Sequence, residues 1–110
     1  MLTISPSARS GSLLPPSAAP VAGERVEALL QHGDVVIEQI LSGHDATAQA
    51  YLQDHDEWVV LLAGAAVIDV GGEQLELKPG DWAFLPARVP HMVLRTMAGT
   101  SWLAVHLGQD

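Results

Sequence analysis

From residue 23 onward the chain consists of short apolar stretches separated by turn residues. Residues 35–41 are rich in β-branched side chains, and residues 58–63 form a continuous apolar run of strand length. Residues 26–30 suit either a short helix or an edge strand, and we interpret them as a strand. The pattern therefore predicts β-strands in all three segments.

Turn chemistry predicts a hairpin in the middle of the chain. Residues 67–70 and 73–77 flank Gly71-Gly72, and two glycines supply the positive φ angles of a tight turn. The second arm alternates polar and apolar side chains, as expected for a half-buried strand. Lys78-Pro79-Gly80-Asp81 then fits a type II turn, with proline at its second position and glycine at its third.

Three further strands are expected in the last third of the chain. They cover residues 82–85, 91–97 and 101–107, separated by a proline-containing break and by Ala98-Gly99-Thr100. Turn residues thus recur at short, regular intervals with few helical candidates between them. That spacing predicts an all-β barrel or sandwich.

The first 22 residues differ in composition from the remainder. They are rich in Ser, Pro, Ala and Gly and bury too little apolar surface to order themselves unless they dock on the body. We interpret residues 1–22 as a flexible N-terminal arm, with Leu13 and Leu14 able to clip it to a single domain at 23–110. The arm lacks the basic start and apolar run of a secretory signal, so a cytoplasmic location is expected.

Composition and charge exclude several classes of function. The chain has 110 residues, with 13 Asp and Glu against 5 Lys and Arg, and a formal charge of −8. Such an acidic chain is not expected to bind nucleic acid or an anionic membrane surface. It contains no Cys, which excludes disulfides, thiol nucleophiles and cysteine-ligated metal clusters.

Two groups of residues carry a recognisable spacing. Glu57 is followed by Gly64, and later Gly80 is followed by Pro86 and His91. This spacing resembles the two signature motifs of the cupin superfamily, over residues 33–107 of the chain. The resemblance implies a double-stranded β-helix, the jelly-roll barrel of cupins, in a small homodimeric protein.

The resemblance also implies a divalent metal inside the barrel, but several motif positions differ. Cupins generally hold the metal with two His of a His-x-His pair, a Glu and a later His. Here Tyr51 and Gln53 stand where the pair would be, so only Glu57 and His91 match residue by residue. Arg95 replaces the closing Asn of the second motif. A weaker site for Fe, Mn, Ni or Zn through Glu57, His91 and Gln53 is the resulting expectation.

Strand alternation points to the same positions as a small-molecule site. Tyr51 and Gln53 fall on one strand face, Glu57 on the inner face of the next, and His91 shares a face with Arg95. We assign Glu57 and His91 as candidate catalytic residues, and Tyr51, Gln53 and Arg95 as ligand-binding residues. Arg95 either faces solvent or pairs with Glu57 or an anionic ligand, since an unpaired buried guanidinium is costly.

The remaining candidates have simpler interpretations. His55 is expected at the surface among acidic residues, and His106 is expected to pack in the fold or at an interface before serving the site. Trp58, Val60 and Leu62 point away from Glu57 and are expected to fill a core or a homodimer contact.

Two functions stay open on these grounds. In the favoured one, a metal bound by Glu57 and His91 polarises a small oxygenated metabolite. In the other, a metal-free barrel binds or senses an anionic small molecule through Arg95 and Arg88. A variant of the second is isomerase-type catalysis without metal, in which Glu57 and His91 act as an acid–base pair.

Overall fold

The computed structural model describes residues 8–45 and 50–108, which form nine β-strands after a short 3-10 helix at Pro16–Ala18. The strands are β1 (Glu24–His32), β2 (Val35–Ser42), β3 (Ala50–Tyr51), β4 (Asp56–Ala63), β5 (Ala66–Val70), β6 (Glu73–Leu77), β7 (Trp82–Leu85), β8 (His91–Thr96) and β9 (Thr100–Leu107). The predicted all-β fold is confirmed, and residues 26–30 belong to a strand. No helix in the described part of the chain is long and apolar enough to cross a membrane.

The strands form two antiparallel sheets. One has the order β1-β2-β9-β4-β7, and the other has the order β3-β8-β5-β6. Strand alternation turns one face of each sheet inward, which produces the shared apolar core. Its buried members are Val59, Leu61, Ala66, Ile68, Leu77, Ala83, Leu85, Trp102 and Ala104.

The predicted turns are confirmed by the backbone angles. Gly71 and Gly72 have φ of 59° and 93° between β5 and β6, as the tight hairpin turn requires. Gly80 has φ of 92°, and the Asp81 amide donates to the Lys78 carbonyl at 2.9 Å, which closes the turn before β7.

The segment before β1 contacts the outer face of the first sheet. The Gln39 side chain, 1% exposed, accepts from the Leu14 amide and donates to the Leu14 carbonyl, both at 2.9 Å. Nε2 of Gln39 also donates to the Ser101 hydroxyl at 3.0 Å. Residues 1–7 lie outside the described residues, and both the flexibility of the arm and the domain boundary at residue 22 stay predictions.

Candidate functional site

A cavity of about 200 Å³ lies between the two sheets, which both contribute to its lining. Aliphatic side chains and Trp102 form much of the wall. The polar side chains that line it are Glu24, Glu38, Tyr51, Gln53, Glu57, His91 and His106. Apolar walls with a few converging polar groups are the usual form of a small-molecule site.

Glu57 reaches this cavity because of its position on β4. Val59 and Leu61 share its face of the strand and pack in the core, so alternation turns the carboxylate inward. The residue is only 6% exposed. A carboxylate is thereby held among apolar side chains, as the sequence predicted for the barrel interior.

Gln53 connects Glu57 to His91. Its Nε2 donates to Oε1 of Glu57 at 2.7 Å and lies 3.4 Å from Nε2 of His91. His91 begins β8 and stacks on Tyr51, with ring centroids 5.4 Å apart and planes inclined by 21°. The structure therefore brings Tyr51, Gln53, Glu57 and His91 into one contiguous group.

The orientation of the Gln53 amide favours one tautomer of the neutral His91 ring. A primary amide nitrogen carries two hydrogens, so one reaches Glu57 and the other reaches Nε2 of His91. Nε2 then acts as the acceptor, and the ring proton lies on Nδ1. Within the described residues Nδ1 is buried and has no well-formed hydrogen bond, although the Val89 backbone lies close enough to affect the ring.

Burial shifts the two ionisable groups in opposite directions. Desolvation raises the pKa of Glu57; the nearby His106 opposes this shift, while Glu38 and Glu24 add to it. Desolvation also lowers the pKa of His91, against a smaller opposing effect of the Val89 backbone. Burial thus makes the Glu57 carboxylate more basic and the His91 imidazole easier to keep neutral, and both groups face the same cavity.

A second polar group adjoins Glu57. Nε2 of His106 donates to Oε1 of Glu38 at 2.7 Å, and Nδ1 of His106 lies 2.8 Å from Nε2 of His55. The same Nδ1 is 3.6 Å from Oε1 of Glu57. The sequence interpretation assigned Glu38 no role and ranked His106 as a packing residue. The sign that could have found Glu38 is a carboxylate between Val36 and Ile40 on one face of a strand.

Glu24 is a third carboxylate at the cavity and was also missed. It accepts from the Tyr51 hydroxyl at 3.4 Å and from the Ser42 hydroxyl at 3.2 Å. Desolvation raises the pKa of Tyr51, and the charge of Glu24 adds to that effect. Because residues 24 and 51 are far apart in sequence and lie on different sheets, only the packing of the two sheets reveals this contact.

The structure does not bring Arg95 to the cavity. β5 and β8 change register between Val67 and Ile68, so that Ile68 pairs with Val93 and Val67 pairs with Arg95. One extra residue on β8 is a β-bulge, and it moves the next inward position to Thr96. Arg95 is exposed on a separate groove, which corrects the expectation that it shares the inner face with His91.

The three predicted metal ligands line the cavity, but their atoms are arranged for hydrogen bonding. The Gln53 nitrogen beside Glu57 and His91 carries N–H donors, and a metal ion requires lone pairs. The described residues contain no group of three or more His, Cys, Asp or Glu side chains that could hold a metal ion. This donor set does not fit a tightly bound divalent metal.

Comparison with known families agrees with this architecture. Residues 36–106 match the family model described as the cupin domain. The chain belongs to the cupin family. The resemblance seen in the spacing of Glu57, Gly80 and His91 is thus confirmed, and so is the jelly-roll fold that it implied. A comparison with curated proteins gives no match.

Solved structures supply relatives of this cupin. One is a Ralstonia eutropha protein provisionally described as a mannose-6-phosphate isomerase; it is 33% identical, covers 91% of this chain and 98% of that chain, and has a TM-score of 0.76. KdgF from Halomonas is 17% identical over 80% of this chain and 81% of that one, with a TM-score of 0.75. An RmlC-like cupin from Shewanella frigidimarina is 18% identical over 80% and 78%, with a TM-score of 0.73. The last two share the fold alone.

Proposed function

We propose that the cavity binds a small hydroxy-carbonyl compound and that Glu57 and His91 move protons within it, without a metal ion. The observation that supports this most directly is the Gln53 bridge, which holds a buried carboxylate and a neutral imidazole beside one another. General acid–base catalysis needs two such groups within reach of the same small molecule.

The reaction that suits this pair is a proton transfer between neighbouring carbons. Glu57 takes the proton from the carbon that bears the hydroxyl group and returns it to the former carbonyl carbon. His91 moves the hydroxyl proton to the carbonyl oxygen, so an aldehyde becomes a ketone and no atom is gained or lost. The raised pKa of Glu57 strengthens the carboxylate as the base of the first step, and a pKa nearer the working pH keeps both of its protonation states accessible during turnover.

The isomerase description of the Ralstonia relative agrees with the type of reaction, but its phosphate substrate does not transfer to this cavity. Phosphate recognition requires cationic side chains or clustered backbone donors. The described lining includes Glu24, Glu38 and Glu57 and no Lys or Arg. Arg88 and Arg95 are exposed elsewhere, so the alternative of an anion held by these two residues loses its support.

A metal-dependent reaction through Glu57, His91 and Gln53 is the competing hypothesis, with Fe, Mn, Ni or Zn as the ion. A carboxylate and an imidazole in one cavity favour it. Against it, Gln53 would have to turn its carbonyl oxygen inward and give up both of its present hydrogen bonds. The proposed proton transfer asks for a smaller change, since Nε2 of His91 need only exchange its 3.4 Å contact with Gln53 for the substrate hydroxyl.

Deuterium incorporation tests the proposal. With dihydroxyacetone and glyceraldehyde as probes in D2O, proton NMR should show exchange of the carbon-bound hydrogen faster with protein than with buffer. Glu57→Gln and His91→Gln should each slow the protein-dependent rate by about 100-fold or more, the usual contribution of general acid–base catalysis. Glu73→Gln and His44→Gln, which change the same residue types at exposed positions, should leave it unchanged.

Two results would contradict the proposal. One is exchange at the buffer rate with both probes. The cavity would then bind small molecules without catalysing their conversion. The other is a rate that is lost after treatment with EDTA and restored by Fe, Mn, Ni or Zn, which would establish the metal hypothesis instead.

We further propose that this cupin forms a homodimer through the outer face of β4 and β7. Trp58, Trp82 and Phe84 lie there, and the last two are 62% and 47% exposed. Large apolar patches on a small protein mark interaction sites. A cytoplasmic location and the absence of nucleic-acid and membrane partners stay predictions from composition and charge.

A further inference from the structure

Apart from Nδ1 of His91, which is itself buried, the side-chain hydrogen-bond donors of the described cavity lining are already committed to protein acceptors. Gln53 uses its amide hydrogens on Glu57 and His91, the Tyr51 hydroxyl donates to Glu24, and Nε2 of His106 donates to Glu38. The indole N–H of Trp102 donates to the Ser42 hydroxyl at 3.1 Å. A ligand that can only accept hydrogen bonds therefore finds its potential donors occupied.

Acceptors, in contrast, are in surplus. An ionised carboxylate has about four lone-pair sites, and Glu24, Glu38 and Glu57 each receive only one or two of the hydrogen bonds in the structure. These three carboxylates line a single cavity of about 200 Å³, with no Lys or Arg among the described lining residues. The cavity is thus both acceptor-rich and negatively charged.

We propose that the cavity selects a small hydroxylated compound that carries a primary ammonium group over neutral or anionic compounds of the same skeleton. This inference rests on the proposed function, which makes the cavity the binding site. An ammonium group supplies three donors and a positive charge, and both properties complement the carboxylates. The cavity is smaller than the 300–1,000 Å³ of drug-sized ligand sites, so the ligand has on the order of ten non-hydrogen atoms.

The raised pKa of Glu57 agrees with this selection. Burial is the largest cause of the raised pKa, and the charges of Glu38 and Glu24 raise it further against the lowering effect of His106. A bound cation would offset the repulsion among these carboxylates, whereas a bound anion would add to it. The aromatic ring of Tyr51, a residue type whose ring ammonium groups contact, also lines the cavity.

Four probes of one skeleton separate these properties. 3-Aminopropane-1,2-diol, glycerol, glycerate and glycerol 3-phosphate share three carbons and differ at one terminal group. The indole N–H signals of a ¹H–¹⁵N NMR spectrum provide the readout, since Trp102 lines the cavity whereas Trp58 and Trp82 lie outside it. The two outer indoles are therefore internal controls for non-specific effects.

The amine is expected to shift the Trp102 signal at concentrations about tenfold lower than glycerol, with no shift from either anion. Glu24→Gln removes one charge but keeps an oxygen acceptor, and it should narrow the preference for the amine over glycerol by about threefold to tenfold. Glu73→Gln, an exposed carboxylate outside the cavity, should leave the preference unchanged.

Equal shifts by the amine and glycerol would overturn the charge selection while leaving the cavity as a binding site. Tighter binding of glycerate or glycerol 3-phosphate would overturn it as well. If none of the four probes shifts Trp102, both the selection and the assignment of the cavity as a binding site are contradicted.

Discussion

The protonation of the buried Glu57 carboxylate affects the free energy of unfolding of the protein. The pKa of Glu57 is raised, so the folded protein holds the proton at pH values where the unfolded chain has released it. Between the ordinary pKa near 4.5 and the higher folded value, unfolding is accompanied by proton release. Stability therefore falls as the pH rises through this interval, and the loss persists at higher pH.

Glu57→Gln should remove this pH-dependent loss of stability while keeping an acceptor for the Gln53 amide. At pH 8 we expect the Tm of the variant to exceed that of the wild type by about 4 °C, which corresponds to about 1 kcal/mol in a domain of this size. At pH 4 the two proteins should melt at the same temperature. Calorimetry at both pH values measures the difference, with Glu73→Gln as the exposed control. A lower Tm of Glu57→Gln at pH 8 would show that the carboxylate is stabilising.

Gly64 combines a positive φ with a close backbone approach. Its φ is 86°, and a Cβ added there would lie 2.7 Å from Cα of Thr100. Gly72 has a similar φ of 93° but nothing within 4 Å of an added Cβ. Gly64→Ala should therefore cost about 3 kcal/mol of unfolding free energy and Gly72→Ala about 1 kcal/mol. Urea unfolding of both variants checks this, and equal costs would mean that the close approach contributes nothing.

At the residue scale the sequence predicted some parts of the site better than others. Glu57 and His91 could be placed inside because strand alternation and motif spacing agreed on them. Arg95 could not, since one bulge residue reverses the parity of β8 and no sequence pattern marks it. Glu24 and Glu38 were missed because Tyr51 and His106, the residues they contact, lie far from them in the sequence.

At the scale of elements, turn chemistry located the strands well. The glycines at 71–72 and the Pro-Gly turn before β7 fix where the chain reverses, so the hairpin β5–β6 could be predicted with its turn type. The short β3 was not delimited as an element, since two residues carry no periodicity of their own. Gln53 follows β3 outside any strand. Its side chain is held by its contacts with Glu57 and His91.

The position of the segment before β1 depends on the buried side-chain amide of Gln39. Gln39→Leu would leave the Leu14 amide and carbonyl without their side-chain partner. We expect a loss of about 1–3 kcal/mol and faster amide hydrogen exchange at Leu14. Gln31→Leu, on the exposed strand β1, should change neither property. Unchanged exchange at Leu14 in Gln39→Leu would mean that contacts other than this amide hold the segment.

At the scale of the whole molecule, the β4–β7 part of the outer face of the first sheet is apolar and partly exposed in the described chain. Trp58, Val60 and Leu62 point away from the cavity, as predicted, and β7 adds Trp82 and Phe84 at the sheet edge. The sequence could predict this face from alternation. The sequence of one chain does not show what covers this face. A second copy of the chain is the partner proposed above.

Sedimentation should report a dimer for the wild type. The double variant Trp82→Ser, Phe84→Ser should be monomeric, because the loss of two large aromatic anchors removes most of an interface of standard size. Leu52→Ser, at a position 69% exposed and outside this face, should remain dimeric. A monomeric wild type at all concentrations would contradict the proposal without affecting the cavity.

Gln53 joins Glu57 and His91 into one unit, and the tautomer of His91 tests this bridge directly. Long-range ¹H–¹⁵N NMR of the imidazole rings distinguishes a proton on Nδ1 from one on Nε2. We predict the Nδ1–H form for His91 at neutral pH, and movement toward the Nε2–H form in Gln53→Leu. An Nε2–H ring in both proteins would contradict the bridge and the proton transfer built on it.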